Sequence, residues 1–202
     1  WTEPVTCHEK PASSSVPFAK TNAWFRTSGT VTGAGAAGAV FAGGGADETS
    51  LPAAARFVGS HPLAGSEKSG PAAARIGLFV DRTVVITPSA RTRPEDQRAI
   101  GDFWKSLGCH VLTMTPDEHD RLIAASSHLP HLAASALAGC TNPQEVAHLV
   151  AGGWLDTTRI AAGDPGLWKQ ILFINRAHVL TALGRYEKVL STLREMLEHQ
   201  YD

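Results

Sequence analysis

Three short stretches of the 202-residue chain carry side chains that can do chemistry. The first is Ser60-His61-Pro62-Leu63-Ala64-Gly65-Ser66-Glu67-Lys68-Ser69-Gly70. It follows an apolar segment that reads as a strand, so it is expected to be a loop at a strand's C-terminal end, where α/β sheets bind ligands. Ala64, Gly65 and Gly70 let backbone approach a ligand closely. His61 is a proton acceptor or hydrogen-bond partner near neutral pH. The alternative is a glycine-rich surface loop with an incidental histidine. The second stretch is Ser127-His128-Leu129-Pro130-His131. Histidines three apart on a helix share a face. As metal ligands they would need helpers, and His61, His119 and Glu118 are the obvious ones, but the pattern lacks the framework of a zinc motif. His119-Asp120 reads as a cap or a hinge. The third stretch runs from Gly152-Gly153-Trp154-Leu155-Asp156 through Arg159 to Asp164-Pro165 and Trp168. A guanidinium among small, apolar residues can grip a carboxylate through two parallel hydrogen bonds. The alternative pairs Arg159 with Asp156, three residues earlier. Trp168 reads as core.

The elements that must position these residues follow from periodicity. Residues 56–60 (RFVGS) read as a short strand and Thr83–Thr87 (TVVIT) as a buried one. Residues 94–107 have helical spacing through Ile100, Phe103, Trp104 and Leu107, with Pro94 at the start and Gly108 at the end. Residues 109–114 (CHVLTM) form another strand. Strand, helix, strand at this spacing predicts parallel pairing in an α/β domain. From Pro116 the pattern is helical: 117–139 with an interruption at Pro130, then 142–150 with Asn142 as cap and Pro143 in the first turn. Residues 164–199 repeat apolar positions every three and four residues, which predicts two stacked helices or one buried against a partner, with Gly184 as a possible break.

Hydrophobic residues make up 43% and charged residues 18% of the chain, enough apolar content for a packed core. A formal net charge of −1 gives no electrostatic footprint for nucleic acid or an anionic membrane. No apolar run reaches the ~18 residues needed to span a bilayer. Cys7, Cys109 and Cys140 are odd in number and far apart, which fits a reducing cytoplasm and neither a disulfide framework nor a metal site. Residues 1–55 differ in character. They hold a Ser13–Ser15 run and a Gly/Ala-rich stretch from Gly33 to Ala46, and they read as poorly ordered.

Taken together, in this order and spacing, the three stretches resemble the prephenate/arogenate dehydrogenase family. HPLAGSEKSG is similar to the family's HPxAGxExSG loop, and LFVDRTVVITP to the strand after it. SHLPH, preceded by EHD, resembles the first helix of its dimer domain. GGWLDTTRIAAGDPGLWKQILFIN resembles its glycine-rich turn, substrate-binding arginine and following helix. The resemblance covers about 147 of 202 residues (202 − 55). It implies a partial Rossmann-like α/β sheet over 56–115 followed by an all-α substrate-binding and dimerisation domain over 116–202. It implies oxidative decarboxylation of a cyclohexadienol, prephenate or arogenate, with hydride passing to NAD or NADP, in a cytoplasmic homodimer that tyrosine inhibits by feedback. By resemblance His61 is the catalytic group at the ring hydroxyl and Arg159 grips the ring carboxylate. Ser66 and Glu67 line or gate the pocket. His131 lies near the substrate side chain. Gly152, Gly153, Asp156 and Trp168 match positions where the partner's helices close the site. No metal is implied.

The front of the chain departs from the family pattern. Gly33-Ala34-Gly35-Ala36-Ala37-Gly38 has the spelling of a dinucleotide-binding turn, but a poor strand precedes it and glycine-rich sequence comes after it. Gly33 to His61 is 28 residues (61 − 33), and a βαβ unit alone needs about 30. The motif reads as a chance match. The family's serine that joins the histidine at the hydroxyl has no counterpart that can be placed. A truncated domain and a shifted reading frame over 1–55 are the two expectations, and a non-catalytic dimeric module that binds tyrosine or prephenate is the alternative function.

Overall fold

The structure, a computed structural model, describes residues 39–41, 56–64 and 75–199. Four strands form one sheet in the order β1-β2-β3-β4: β1 Ala39–Phe41, β2 Val58–Pro62, β3 Thr83–Thr87 and β4 His110–Thr113. β1 pairs parallel with β2, β2 antiparallel with β3, and β3 parallel with β4. The strand–helix–strand unit thus pairs in parallel as its spacing predicts, within a mixed sheet. β3 is the apolar run TVVIT because both of its faces are covered: Val84, Val85 and Ile86 are all buried.

Helix α1, Pro94–Ser106, opens on a proline whose missing N–H costs a helix start nothing. It lays Ile100 and Trp104 on one sheet face, against Val58, Val84, Ile86 and Cys109. Buried Asp96 ties its first turn to the strand side, accepting hydrogen bonds from Arg56 at 3.0 Å and Arg93 at 3.1 Å. Gly108, at φ +82°, ends the helix in a conformation that favours glycine and turns the chain into β4.

The remaining elements are helical: α2 Pro116–Ile123, a π turn Ala124–His128, α3 Leu129–Cys140, α4 Pro143–Val146, α5 Gly152–Thr158, a 3₁₀ turn Arg159–Ala162, α6 Pro165–Ile174 and α7 Arg176–Glu198. Thr115 caps α2, its Oγ1 accepting from the Glu118 N–H at 3.2 Å. Asn142 caps α4 as expected. Three boundaries differ from the sequence reading, the first being the helix expected over 142–150, which ends at Val146. The break after α2 is the π turn, one turn ahead of Pro130, and Pro130 sits harmlessly in the first turn of α3. The break in 164–199 falls at Asn175, while Gly184 lies inside α7, where a Cβ would meet nothing within 4 Å. A glycine in open space weakens a helix by only ~1 kcal/mol against alanine and need not end it. The helical core is small: Ala124, Val179 and Ala182, with Leu129, Leu132 and Leu172 against them.

Candidate active site

The pleat decides where His61 points. Alternate residues of a strand face opposite sides of a sheet. Ser60 faces α1, accepting a hydrogen bond from Trp104 Nε1 at 3.2 Å. His61 therefore faces the other side, in register with Val85 of β3. The sequence pattern predicts a loop at His61. The residue stands instead within β2, because the ladder to β3 runs on through Pro62 and the Leu63 N–H then donates to the Thr83 carbonyl at 2.8 Å. The backbone that aims the imidazole is thus held more firmly than a loop would hold it. Gly59 allows this pairing, since a Cβ there would strike the Thr87 hydroxyl.

Helix α2 crosses the face on which His61 stands. His61 Nδ1 lies 2.8 Å from His119 Nε2, with the two rings edge to face at 5.1 Å between centroids. His119 Nδ1 lies 2.8 Å from Asp120 Oδ1. The π turn then brings His128 inward. His128 Nδ1 is 3.3 Å from Asn175 Nδ2, which also donates to the Asp120 carbonyl at 2.7 Å. The His61 pKa is pushed down to about 4, first by burial and then by the neighbouring His119 and His128 rings, with Asp120 opposing. Burial also lowers the pKa of His128 and of His131. The site therefore presents neutral imidazoles at pH 7, able to accept a proton.

His128 and His131 both meet Trp168. His131 stacks flat on Trp168, with 3.6 Å between ring centroids and 6° between planes. Trp168 also meets His128 edge-on at 6.3 Å. Trp168 is thus a half-buried wall of the site rather than a core residue. Gly163 makes room for it, since a Cβ at that position would collide with the indole. His131 Nδ1 is buried without a hydrogen-bond partner among the described residues, and so is Trp154 Nε1. Buried polar atoms are rarely left unpaired, and Asn175 Oδ1 is a further one here. Among the described residues no three histidine, cysteine, aspartate or glutamate side chains form a group that could hold a metal.

Arg159 opens the 3₁₀ turn that packs on α3, and its side chain is exposed. It forms no ion pair with Asp156 or with any other carboxylate among the described residues, because the chain tightens from α-helix to 3₁₀ at this residue. Its guanidinium is available to a ligand. Arg159 does not touch His61. The charge of His128 is felt at His61, Trp168 meets both His128 and His131, and His131 hydrogen-bonds the Ile160 backbone next to Arg159. Gly153 lies exposed in the first turn of α5, with open space where a Cβ would go. Ser66 and Glu67 lie outside the described residues. Sequence reasoning missed the roles of Asp120, His128 and Asn175. The EHD triplet one turn after a capping threonine was the only available signal, since His119 and His61 are 58 residues apart.

A dinucleotide would need a cradle for its diphosphate, and the described residues do not supply one. The Gly33–Gly38 stretch is outside them, and the described element directly after it is strand β1 rather than a helix. The first turn of α1 carries Glu95 and buried Asp96, so a carboxylate already occupies that helix start.

The family model described as prephenate dehydrogenase, nucleotide-binding domain, matches residues 46–113. The model described as prephenate dehydrogenase, dimerization domain, matches residues 115–202. A prephenate dehydrogenase of Bacillus subtilis is 34% identical over 155 residues, 74% of this chain and 42% of that protein. A cyclohexadienyl dehydrogenase of Zymomonas mobilis is 36% identical over 150 residues, 71% of this chain and 51% of that protein. The crystal structure of Aquifex aeolicus prephenate dehydrogenase with hydroxyphenyl propionate and NAD+ superimposes with a TM-score of 0.66 at 34% identity, covering 71% of this chain and 52% of that one. The chain spans about half the length of the relatives it matches. With two adjacent family models matching from residue 46 to residue 202, and a partial Rossmann-like sheet followed by a helical region as in its structural neighbours, the chain belongs to the prephenate dehydrogenase family.

Proposed function

We propose that this chain forms the substrate-binding and dimerisation part of a dehydrogenase that oxidatively decarboxylates prephenate or arogenate, using an NAD-type cofactor in a cytoplasmic homodimer. One observation carries the reading: a neutral, largely buried imidazole stands where the sheet meets the helical half, with unpaired polar atoms and a stacked Trp168–His131 wall beyond it. An NAD-type cofactor would supply the hydride acceptor for the ring carbon that bears the hydroxyl. As that hydride leaves, the hydroxyl gains positive character, and His61 accepts its hydrogen bond and then its proton. The ring carboxylate, which departs as carbon dioxide, is held by Arg159, whose planar fork suits a carboxylate. His131, backed by Trp168, meets the substrate side chain, where tyrosine would also compete. Gly153 leaves α5 open for a partner's helices. Ser66 and Glu67 are assigned to the pocket rim from the resemblance.

The second copy is inferred from α7, whose Leu180, Val189, Leu190, Leu193, Met196 and Leu197 are all exposed in the single chain. An apolar face of that length in water marks an interface, and a two-fold dimer buries the same face on both copies. A second reading, a dimeric module that binds tyrosine or prephenate without turnover, is favoured by the lack of a diphosphate cradle among the described residues. Assaying NAD and NADP reduction with prephenate and with arogenate separates them. The dehydrogenase reading expects turnover that His61→Asn abolishes at unchanged KM, and that Arg159→Ala weakens through KM. Tyrosine binding without turnover by the folded dimer would select the module. Failure to bind either acid or tyrosine would reject both.

A further inference from the structure

Neutral histidines have one nitrogen that donates and one that accepts, and catalysis needs the correct one free. Asp120 is placed to decide this for two rings. A carboxylate only accepts, so His119 Nδ1, 2.8 Å from Asp120 Oδ1, carries a proton. If that is the ring's only proton, His119 Nε2 is bare. His61 Nδ1, 2.8 Å away, must supply the hydrogen in that bond, which leaves His61 Nε2 as a lone pair. The second branch starts from the Asp120 backbone. A carbonyl also only accepts, so the atom of Asn175 that lies 2.7 Å from it is the NH2 group. The same group is 3.3 Å from His128 Nδ1, which therefore accepts and places the His128 proton on Nε2.

We infer that Asp120 is a positioning residue that fixes two complementary tautomers, an accepting Nε2 on His61 through His119 and a donating Nε2–H on His128 through Asn175. A hydroxyl offered to His61 Nε2 would find an acceptor for its proton. The catalytic meaning of this arrangement rests on the function proposed above, but the tautomers are a property of the chain alone.

Replacing the carboxylate tests the first branch without touching the second. Asp120→Asn keeps the shape and the backbone carbonyl. Its amide can donate to His119 Nδ1, which moves the His119 proton to Nε2 and turns His61 Nδ1 into the acceptor. His61 Nε2 then carries the hydrogen and can no longer take one. A wrong tautomer in a fixed geometry has cost an enzyme roughly 10⁴-fold in turnover elsewhere.

The experiment is long-range proton–nitrogen NMR on the ¹⁵N-labelled chain above pH 7. In the wild type the expected pattern is a protonated Nδ1 on His61 and a protonated Nε2 on His128. In Asp120→Asn the His61 pattern inverts while that of His128 stays, which also reports that the fold survives. A wild-type His61 protonated at Nε2 overturns the proposal without any variant, and so does an unchanged His61 pattern in a folded Asp120→Asn whose His119 has become protonated at Nε2. If prephenate is turned over, Asp120→Asn should lower kcat at least a hundred-fold with KM nearly unchanged. Correct tautomers in a chain that oxidises no cyclohexadienol would leave the relay standing and remove the functional reading. Lost turnover with unaltered tautomers would do the reverse.

Discussion

The sheet half and the helical half bury their side chains to different degrees. In the sheet half Val58, Val84, Ile86, Ile100 and Trp104 are sealed between one helix and the strands. In the helical half the sealed residues are mostly small, and Phe173, Ile174, Leu180, Val189, Leu190 and Leu193 remain in contact with water. The first region finds its partners within the chain. The second has arranged its apolar residues for a surface that the single chain does not contain. His61 stands at the seam, carried by the rigid half and surrounded by groups from the other.

That contrast is sharpest at Trp104. Trp104→Ala removes the largest fully buried side chain and a hydrogen bond to Ser60 beside the catalytic candidate. It is expected to cost ~3–5 kcal/mol in urea unfolding. A loss under ~1 kcal/mol would mean the sheet half is no better packed than the helical half.

Acid should open the seam next. Above pH 6.5 His61 is neutral both folded and unfolded, so it makes stability no more pH-dependent. Between 6.5 and about 4 the unfolded chain binds a proton that the fold refuses, and stability falls with pH. The full effect below pH 4 is ~3 kcal/mol, with His128 and His131 shifting in the same direction. Unfolding free energies measured through this window should fall toward acid, and His61→Asn should flatten the slope. An equal slope in the variant would place the titrating groups elsewhere.

A smaller effect belongs to the helical half. Leu190→Ala with Leu193→Ala should weaken self-association by ~2 kcal/mol, roughly thirty-fold in Kd, in sedimentation equilibrium. A wild type that stays monomeric at micromolar concentration would show that the exposed α7 face is not a dimer surface.

The same contrast explains what the sequence could convey. β3 and α1 were legible because their burial is local: TVVIT is covered on both faces, and the helical spacing of Ile100, Phe103, Trp104 and Leu107 with Pro94 and Gly108 marks both ends. The division of 164–199 into two helices was legible, but its position at Asn175 was not. Asn175 ends α6 by using its amide far away in the chain, on the Asp120 carbonyl and His128. Glycine at 184 carried the usual signal of a break without the consequence. His61, His131, Arg159 and Trp168 were picked out through their spacing and family resemblance. The relay from Asp120 was not, because no periodicity links residues 61, 119 and 175. The π turn that ends at His128 leaves no mark in an otherwise regular AASSHLPH segment.

The proposed chemistry turns on a His61 imidazole that stays uncharged while it waits for a hydroxyl proton. Titrating the folded chain from neutral pH downward while monitoring the His61 ring signals by NMR tests this most directly. The expected midpoint is near 4, well below an ordinary histidine. A midpoint near 6.5 would show the ring open to water and would contradict the assignment of His61 as the buried proton acceptor.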